Sequence, residues 1–269
     1  MEIPSDNIAI LVSAAIAVML LLIISFLLAF NTSQRKKFQY QQNLLNLKES
    51  QQNQLIEAAV RSEEIERHRI AETLHDEVGA ILSSAKLHLF GIKAQSLDDK
   101  DLKLHDKGKE LLDNAIQKVR SISHNLHSNI LKEFGLNDAI QHFIKMITTG
   151  SIIKATVELD ENYTTLNAEN DISIYRLIQE LINNILKHAA ATEINIASHL
   201  ADNTLQISLV HNGNGITQDE FETLRYKKDG LGLKNIQNRI ILLRSSLLFS
   251  KTQNGYLIHL SVPIKPTTA

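Results

Sequence analysis

The segment from Ile8 to Phe30, IAILVSAAIAVMLLLIISFLLAF, carries no charge, and its only polar side chains are Ser13 and Ser25. At about 1.5 Å per residue, a helix of this length reaches across a bilayer core of about 30 Å. A cleaved secretory signal would have a basic start and a shorter apolar run, whereas here Glu2 and Asp6 come first. The run therefore predicts an uncleaved anchor at residues 8–30. Arg35, Lys36 and Lys37 follow it, and because basic residues stay on the cytoplasmic side, residues 1–7 are expected outside and the rest inside. So short an outer segment leaves no room for an extracytoplasmic sensor domain. The absence of cysteine agrees with a reducing compartment.

Residues 31–269 suffice for one or two domains. A formal net charge of -2 without a clustered basic face gives no reason to expect direct nucleic-acid binding. The three prolines, at 4, 263 and 266, leave the interior free for long helices. Residues 31–61 are rich in Gln and Asn, and Leu44, Leu55, Ala58 and Ile65 set a weak heptad register that reads as a coiled-coil linker.

From Leu74 the apolar seam strengthens through Val78, Ile81, Ala85, His88 and Ile92. This register does not continue the earlier one, so a stutter is expected between Ile65 and Leu74. The polar stretch AQSLDDKD ends the helix near residue 95, and a second helix carries Leu112, Ala115, Val119, Ile122 and Leu126. Two antiparallel helices cannot bury both seams alone. The pattern at 62–132 thus predicts a helical hairpin that pairs with a second copy into a dimeric four-helix bundle, making the chain a homodimer.

His75 lies one position past Leu74 in AETLHDEVGAIL, hence about 100° around the helix on its solvent side. For any one of the 11 histidines, a solvated surface side chain is the default. Glu72, Asp76, Glu77 and Gly79 weigh against it here. A carboxylate can orient a neutral imidazole through one ring nitrogen and leave the other as a nucleophile, while Gly79 leaves room for a bulky reactant. Glu72, three residues back, faces His75 in an α-helix; Asp76, the next residue, does not.

The second half contains strands. EINIASHLADNTLQISLVHNG and SSLLFSKTQNGYLIHLSVPI each alternate around a turn and read as hairpins. Before them, DISIYRLIQELINNILKHAAA has a broad apolar face of Ile174, Ile178, Leu181, Ile182, Ile185 and Leu186, while Glu180, Asn184, Lys187 and His188 share a polar stripe. Many helices have a plain solvated stripe. A carboxylate, an amide and two basic groups in one line can also hold Mg²⁺ and phosphates. Two glycine motifs follow, HNGNGI (211–216) and DGLGLKNIQNRI (229–240), the second opening a helix whose N-H groups would suit phosphate. Each is weak alone and specific in this order.

The sequence resembles the sensor histidine kinases, in the subfamily of the nitrate/nitrite and membrane-fluidity sensors whose phosphoacceptor helix carries a His-Asp pair. The resemblance runs from about Arg61 to Ile264. ERHRIAETLHDEVG resembles the phosphoacceptor box, which implies His75 as the phosphorylated residue and Asp76 as its activating carboxylate. LHSNILKEFGLNDAI looks like the segment joining the bundle to the catalytic domain. ELINNILKHA resembles the N box, with Asn184 in the magnesium position, Glu180 in the acidic one, and Lys187 and His188 beside them. The resemblance implies an α+β multidomain chain whose residues 133–269 form the two-layer α/β sandwich (Bergerat fold) shared with gyrase, Hsp90 and MutL. ATP would lie against His211, Asn212, Gly213, Gly215, Gly230, Gly232 and Leu233, under a short lid at 216–229. It further implies ATP and Mg²⁺ as cofactors, a response regulator with a DNA-binding output domain as partner, and a bacterial inner membrane location.

Two positions depart from the family. The first glycine box normally begins with Asp, which accepts from the adenine amino group, and His211 stands there; either a neutral imidazole or the Asn212 amide oxygen could accept instead. Losing a charged acceptor costs about 1.5 to 3 kcal/mol. Members with strong phosphatase activity carry Gln five residues after the phosphoacceptor, where this chain has Ala80, so weak phosphatase activity is expected. The expected reaction is autophosphorylation of His75 from ATP. The alternatives are a pseudokinase scaffold and a conformational ATPase that uses Glu180 as base.

Overall fold

The computed structural model describes residues 5–92, 98–126, 129–165, 167–225 and 231–264. It divides into two compact units, Met1–Leu55 and Ile56–Ala269. Helix α1 (Ser5–Thr73) begins in the first. Its apolar part is long and apolar enough to cross a membrane by length and composition. Leu44 and Leu55, two of the expected coiled-coil positions, are exposed in the single chain.

After Thr73 the backbone widens into one π-helical turn, Leu74–Val78, before α2 (Gly79–Phe90). The break in register thus falls just after the interval expected for it. A π-turn holds one more residue than an α-turn, which shifts the phase of everything beyond it. Helix α3 (Asp99–Leu126) returns alongside. Ser123 Oγ donates to the Ala71 carbonyl at 3.0 Å and His105 Nε2 to the Leu89 carbonyl at 3.0 Å, which fixes the antiparallel hairpin. Ala71, Ile116 and Ser123 are buried between its helices. The seam read from sequence divides in two. Leu74 and Val78 are half-buried, while Ile81, Ile92 and Ile122 stay exposed, as do Leu87, Leu104 and Leu111 outside that seam.

Helix α4 (Asn129–Thr148) is interrupted at Gly135 (φ 87°, ψ -179°). The joining segment expected at residues 126–140 overlaps the first half of this helix. Leu136, Ala139, Ile140, Phe143 and Ile144 repeat at three and four residues, and all are buried in the core of the α/β part.

That part is a five-stranded sheet in the order β1-β2-β3-β5-β4. Its strands are β1 (Lys154–Glu158), β2 (Glu193–Ala201), β3 (Thr204–His211), β4 (Ser246–Thr252) and β5 (Gly255–Pro263). β1 pairs parallel to β2, and the other pairings are antiparallel. Both expected hairpins are present, with turns at 202–203 and 253–254. Ile194, Ile196, Leu205, Ile207, Leu209, Ile258 and Leu260 bury one face of the sheet. They form a single core with α4, α5 (Ala168–Asn184) and α7 (Leu231–Leu243). This gives the α/β two-layer sandwich expected for the second half. α6 (Gln218–Leu224) lies between β3 and α7.

Candidate functional site

Helix α5 begins at Asn167, whose side chain accepts from the N-H groups of Glu169 and Asn170. Its apolar face sinks into the core, so the opposite edge, with Glu180 and Asn184, is held at a cavity of about 500 Å³. A second π-turn, Ile185–Ala189, continues the helix, and Lys187 and His188 line the same cavity. His211, Tyr256 and Ile258 of the sheet, Gly215 and Ile216 of the loop after β3, and Gly232, Leu233 and Ile236 of α7 complete it.

Most of the residues singled out from the sequence for nucleotide binding therefore converge. Gly230 lies outside the described residues. Asn212 does not line the cavity: its Oδ1 accepts from the N-H groups of Thr192 (2.9 Å) and Glu193 (3.0 Å), and its Nδ2 donates to Thr192 Oγ1 (2.8 Å). With both lone pairs engaged, Asn212 locks the loop and cannot serve as a base acceptor. Gly213 also lies behind the cavity. A Cβ there would stand 2.3 Å from the Ala189 carbonyl oxygen and 2.8 Å from the Ala191 nitrogen, so only glycine lets the loop press against the end of the α5 helix. Nor is all of the expected lid a free flap. Within 216–225, α6 is closed by a Thr217/Glu220 capping box and packs Phe221 against Phe249 at 4.8 Å between ring centroids. The backbone N-H of Phe249 donates to Gln218 Oε1 at 3.0 Å. The buried aromatic at Phe221 made a helix of what read as a polar stretch.

His211 is 3% exposed and stacked on Tyr256, with ring centroids 5.9 Å apart. Burial pushes its imidazole below the usual histidine pKa, so it is neutral at physiological pH. Its Nδ1 is buried without a hydrogen-bond partner, a capacity the rest of the fold does not use. Glu180 and Asn184 converge on Gly232, where a Cβ would lie 2.3 Å from Glu180 Oε1 and 3.7 Å from Asn184 Oδ1. A side-chain-free cradle with two oxygen donors suits a hydrated Mg²⁺ carrying phosphates.

His75 stands elsewhere. Its Nδ1-H donates to Asp76 Oδ1 at 2.8 Å, and the two side chains are 67% and 74% exposed. Glu72, the carboxylate expected to face it, lies 3.4 Å from His68 Nε2 instead. The π-turn explains the exchange, because more residues per turn narrow the angle between neighbours and bring Asp76 to the ring. A carboxylate only accepts, so Nδ1 is the donor nitrogen, and in the neutral imidazole this leaves the lone pair on Nε2. His75, Asp76, Gly79, Ala80 and Ser83 line a groove of about 330 Å³ with Ile116, Val119 and Arg120 of α3. The sequence reading missed Arg120; its spacing from Ile116, four residues on, was the available signal. Among the described residues, none lines both this groove and the larger cavity.

Residues 66–131 match the family model described as histidine kinase, and residues 169–266 match that of the histidine kinase-, DNA gyrase B- and HSP90-like ATPases. A sensor histidine kinase of Rhizobium johnstonii, MctS, is 28% identical over 212 residues, which cover 78% of this chain and 45% of that protein. The chain thus spans about half the length of that relative. Among solved structures, the histidine kinase domain of the blue-light activated kinase of Erythrobacter litoralis EL346 superposes with a TM-score of 0.45 at 15% identity, covering 70% of this chain and 94% of that one. The Acinetobacter baumannii histidine kinase AdeS gives 0.42 at 14% identity, covering 72% and 98%. With a histidine kinase segment around His75 and an ATPase segment around the Asn184 cavity in succession on one polypeptide, this chain belongs to the sensor histidine kinases.

Proposed function

We propose that the protein is a membrane-anchored, homodimeric kinase that phosphorylates its own His75 from ATP and passes the phosphoryl group to an aspartate of a response regulator with a DNA-binding output domain. The observation that carries this reading is the His75–Asp76 pair: Asp76 holds the Nδ1 proton, so an exposed Nε2 is left as the nucleophile. Residues 62–132 dimerise and carry the acceptor, and residues 133–269 bind ATP. The anchor at 8–30 leaves residues 1–7 outside a bacterial inner membrane. The exposed Ile81, Leu104, Leu111 and Ile122 support a second copy completing the bundle.

Asn184 Oδ1, with Glu180 beside it, would hold Mg²⁺, which would supply positive charge to neutralise the phosphates. Lys187 and His188 face the anion, and the N-terminal backbone of α7 cradles it. His211 offers a neutral ring to the base. His75 Nε2 attacks the γ-phosphorus, forming the N–P bond as the bond to the bridging oxygen breaks and ADP leaves. Asp76 stabilises the imidazolium that forms. The protein's share is positioning and charge stabilisation.

The test uses the full chain in lipid nanodiscs with γ-labelled ATP and magnesium. Wild type should take up label and pass it to an isolated receiver domain of its regulator, and His75→Gln should take up none. Equal labelling of the two would refute the assignment.

A further inference from the structure

At His75 and His105 a neighbour decides which ring nitrogen carries the proton. His75 donates from Nδ1 to Asp76 at 2.8 Å, and His105 donates from Nε2 to the Leu89 carbonyl at 3.0 Å. A partner on one ring nitrogen settles what the other can do. His211 has no such partner. It is 3% exposed, and its Nδ1 is buried and unbonded. Among the described residues no hydrogen bond or ion pair involves either of its ring nitrogens. The proton of the neutral ring is therefore not pinned, and one tautomer replaces the other without the loss of a hydrogen bond.

The ring itself is held in place. His211 ends β3 opposite Tyr256 of β5, and the two rings stack with 13° between their planes. Gly215 presses on the same tyrosine, where a Cβ would stand 2.3 Å from its Cγ. His211 and Tyr256 share the cavity wall with Ile216, Ile236, Phe249 and Ile258, an apolar surface that suits a heterocyclic base. Among the described residues Glu180 is the one carboxylate in that lining. It converges with Asn184 on Gly232, where metal and phosphates belong. The wall around His211 thus offers the base no charged acceptor.

A 6-amino purine presents an N-H donor at C6 and needs an acceptor, whereas a 6-oxo purine presents a carbonyl oxygen and needs a donor. A carboxylate only accepts, so it would favour the first and repel the second. A neutral imidazole whose proton is not pinned meets either, with its lone pair or with its N-H. We propose that His211 sets the base specificity of the site and makes it indifferent to the group at C6, so that 6-oxo purine nucleoside triphosphates bind as well as ATP does. The place of the base rests on the kinase reading above.

The experiment compares ATP with inosine triphosphate, which differs from it at C6 and in the proton on N1. The full chain in nanodiscs, carrying His75→Gln to prevent phosphoryl transfer, is titrated with each nucleotide in magnesium by calorimetry. The two dissociation constants should lie within tenfold of each other. Adding His211→Asp should tighten ATP about tenfold and weaken inosine triphosphate about tenfold, opening a ratio of about 100. Adding His211→Gln, which also carries a donor and an acceptor, should leave the ratio within tenfold. A purely structural role would move both nucleotides together. Should the aspartate variant fail to fold, solid-state nitrogen NMR of ring-labelled histidine in the parent decides. The His211 signals, identified by their loss in His211→Gln, should exchange protonated and unprotonated nitrogens between the two nucleotides. A preference for ATP of tenfold or more before His211 is changed, equal shifts of both nucleotides in His211→Asp, or one tautomer under both nucleotides overturns the proposal; labelling of His75 from ATP in the unsubstituted chain would still uphold the kinase reading. Near-equal binding with no labelling of His75 from either nucleotide supports the proposal and refutes the kinase reading. Failure of both nucleotides to bind refutes the two together.

Discussion

Adding one methyl group at Gly213, which does not itself line the cavity, should damage the nucleotide site. The Cβ of Gly213→Ala would lie 2.3 Å from the Ala189 oxygen, 2.8 Å from the Ala191 nitrogen and 2.9 Å from the Ala189 carbonyl carbon. All three are backbone atoms and cannot rotate aside. Ordinary carbon–oxygen contacts are near 3.4 Å, so the loop must withdraw by about 1 Å. That withdrawal strains the Asn214 N-H bond to the Ala189 carbonyl, now 2.8 Å, in a turn where Ala190 already has φ 50°. Overpacking of this kind costs about 1–3 kcal/mol and a lost hydrogen bond about 1 kcal/mol, together about 2–4 kcal/mol. For a domain of this size each kcal/mol lowers Tm by roughly 3–5 °C, so thermal unfolding should move down by roughly 6–20 °C. Because Gly215 and Ile216 ride on the same loop and line the cavity, nucleotide affinity by titration calorimetry should fall at least tenfold, the equivalent of about 1.4 kcal/mol. Gly108→Ala is the control, since its Cβ meets only Leu89 Cδ2 at an ordinary 3.6 Å. If Gly213→Ala melted within 2 °C of the parent and bound nucleotide normally, the close-approach reading would be wrong.

Four further outcomes are expected. Burial lowers the His211 pKa, so the imidazole is neutral in folded and unfolded chains above about pH 6.5. As pH falls below that value the unfolded chain takes up the proton first and stability is lost, a loss His211→Leu should abolish in denaturation curves between about pH 7 and 5; parallel curves would contradict it. His211→Asp should restore a charged acceptor and tighten nucleotide binding about tenfold. In Gly232→Ala the new Cβ clashes with the flexible end of Glu180 and meets Asn184 Oδ1 at an ordinary 3.7 Å, so melting should change by less than about 1 kcal/mol while His75 labelling drops about tenfold or more; unchanged labelling would remove Glu180 from the site. Ala80→Gln should confer dephosphorylation of the partner regulator, and no change in its phosphate half-life would count against the place given to Ala80.

How much was readable in advance followed the range of the forces involved. Alternation in residues 193–211 and 246–263 revealed both hairpins because the sheet buries one face and each strand records it residue by residue. β1, KATVE, alternates as well, with Ala155 and Val157 half-buried against the core, but five residues with two small apolar side chains are too short a record to stand out. The α4 repeat was obscured by Gly135, which breaks the helix where its apolar spacing begins. The stripe of Glu180, Asn184, Lys187 and His188 was legible because helix geometry fixes it locally. Neither π-turn has a sequence signature, and that at Leu74–Val78 overrides the α-helical geometry that pointed to Glu72 and brings Asp76, the residue implied by the resemblance, to His75. Asn212 became structural through partners some twenty residues away. The Arg176–Glu64 pair spans 112 residues and joins two segments whose individual patterns are silent about each other.

The central claim is that the Nε2 of His75 takes phosphorus from ATP. Phosphorus NMR of the full chain in nanodiscs, recorded at alkaline pH after incubation with magnesium and ATP, measures that bond directly. The account expects one phosphoramidate resonance that disappears on acidification and is missing from His75→Gln. Failure of that resonance to form in folded, nucleotide-binding protein, or its persistence in His75→Gln, would contradict it.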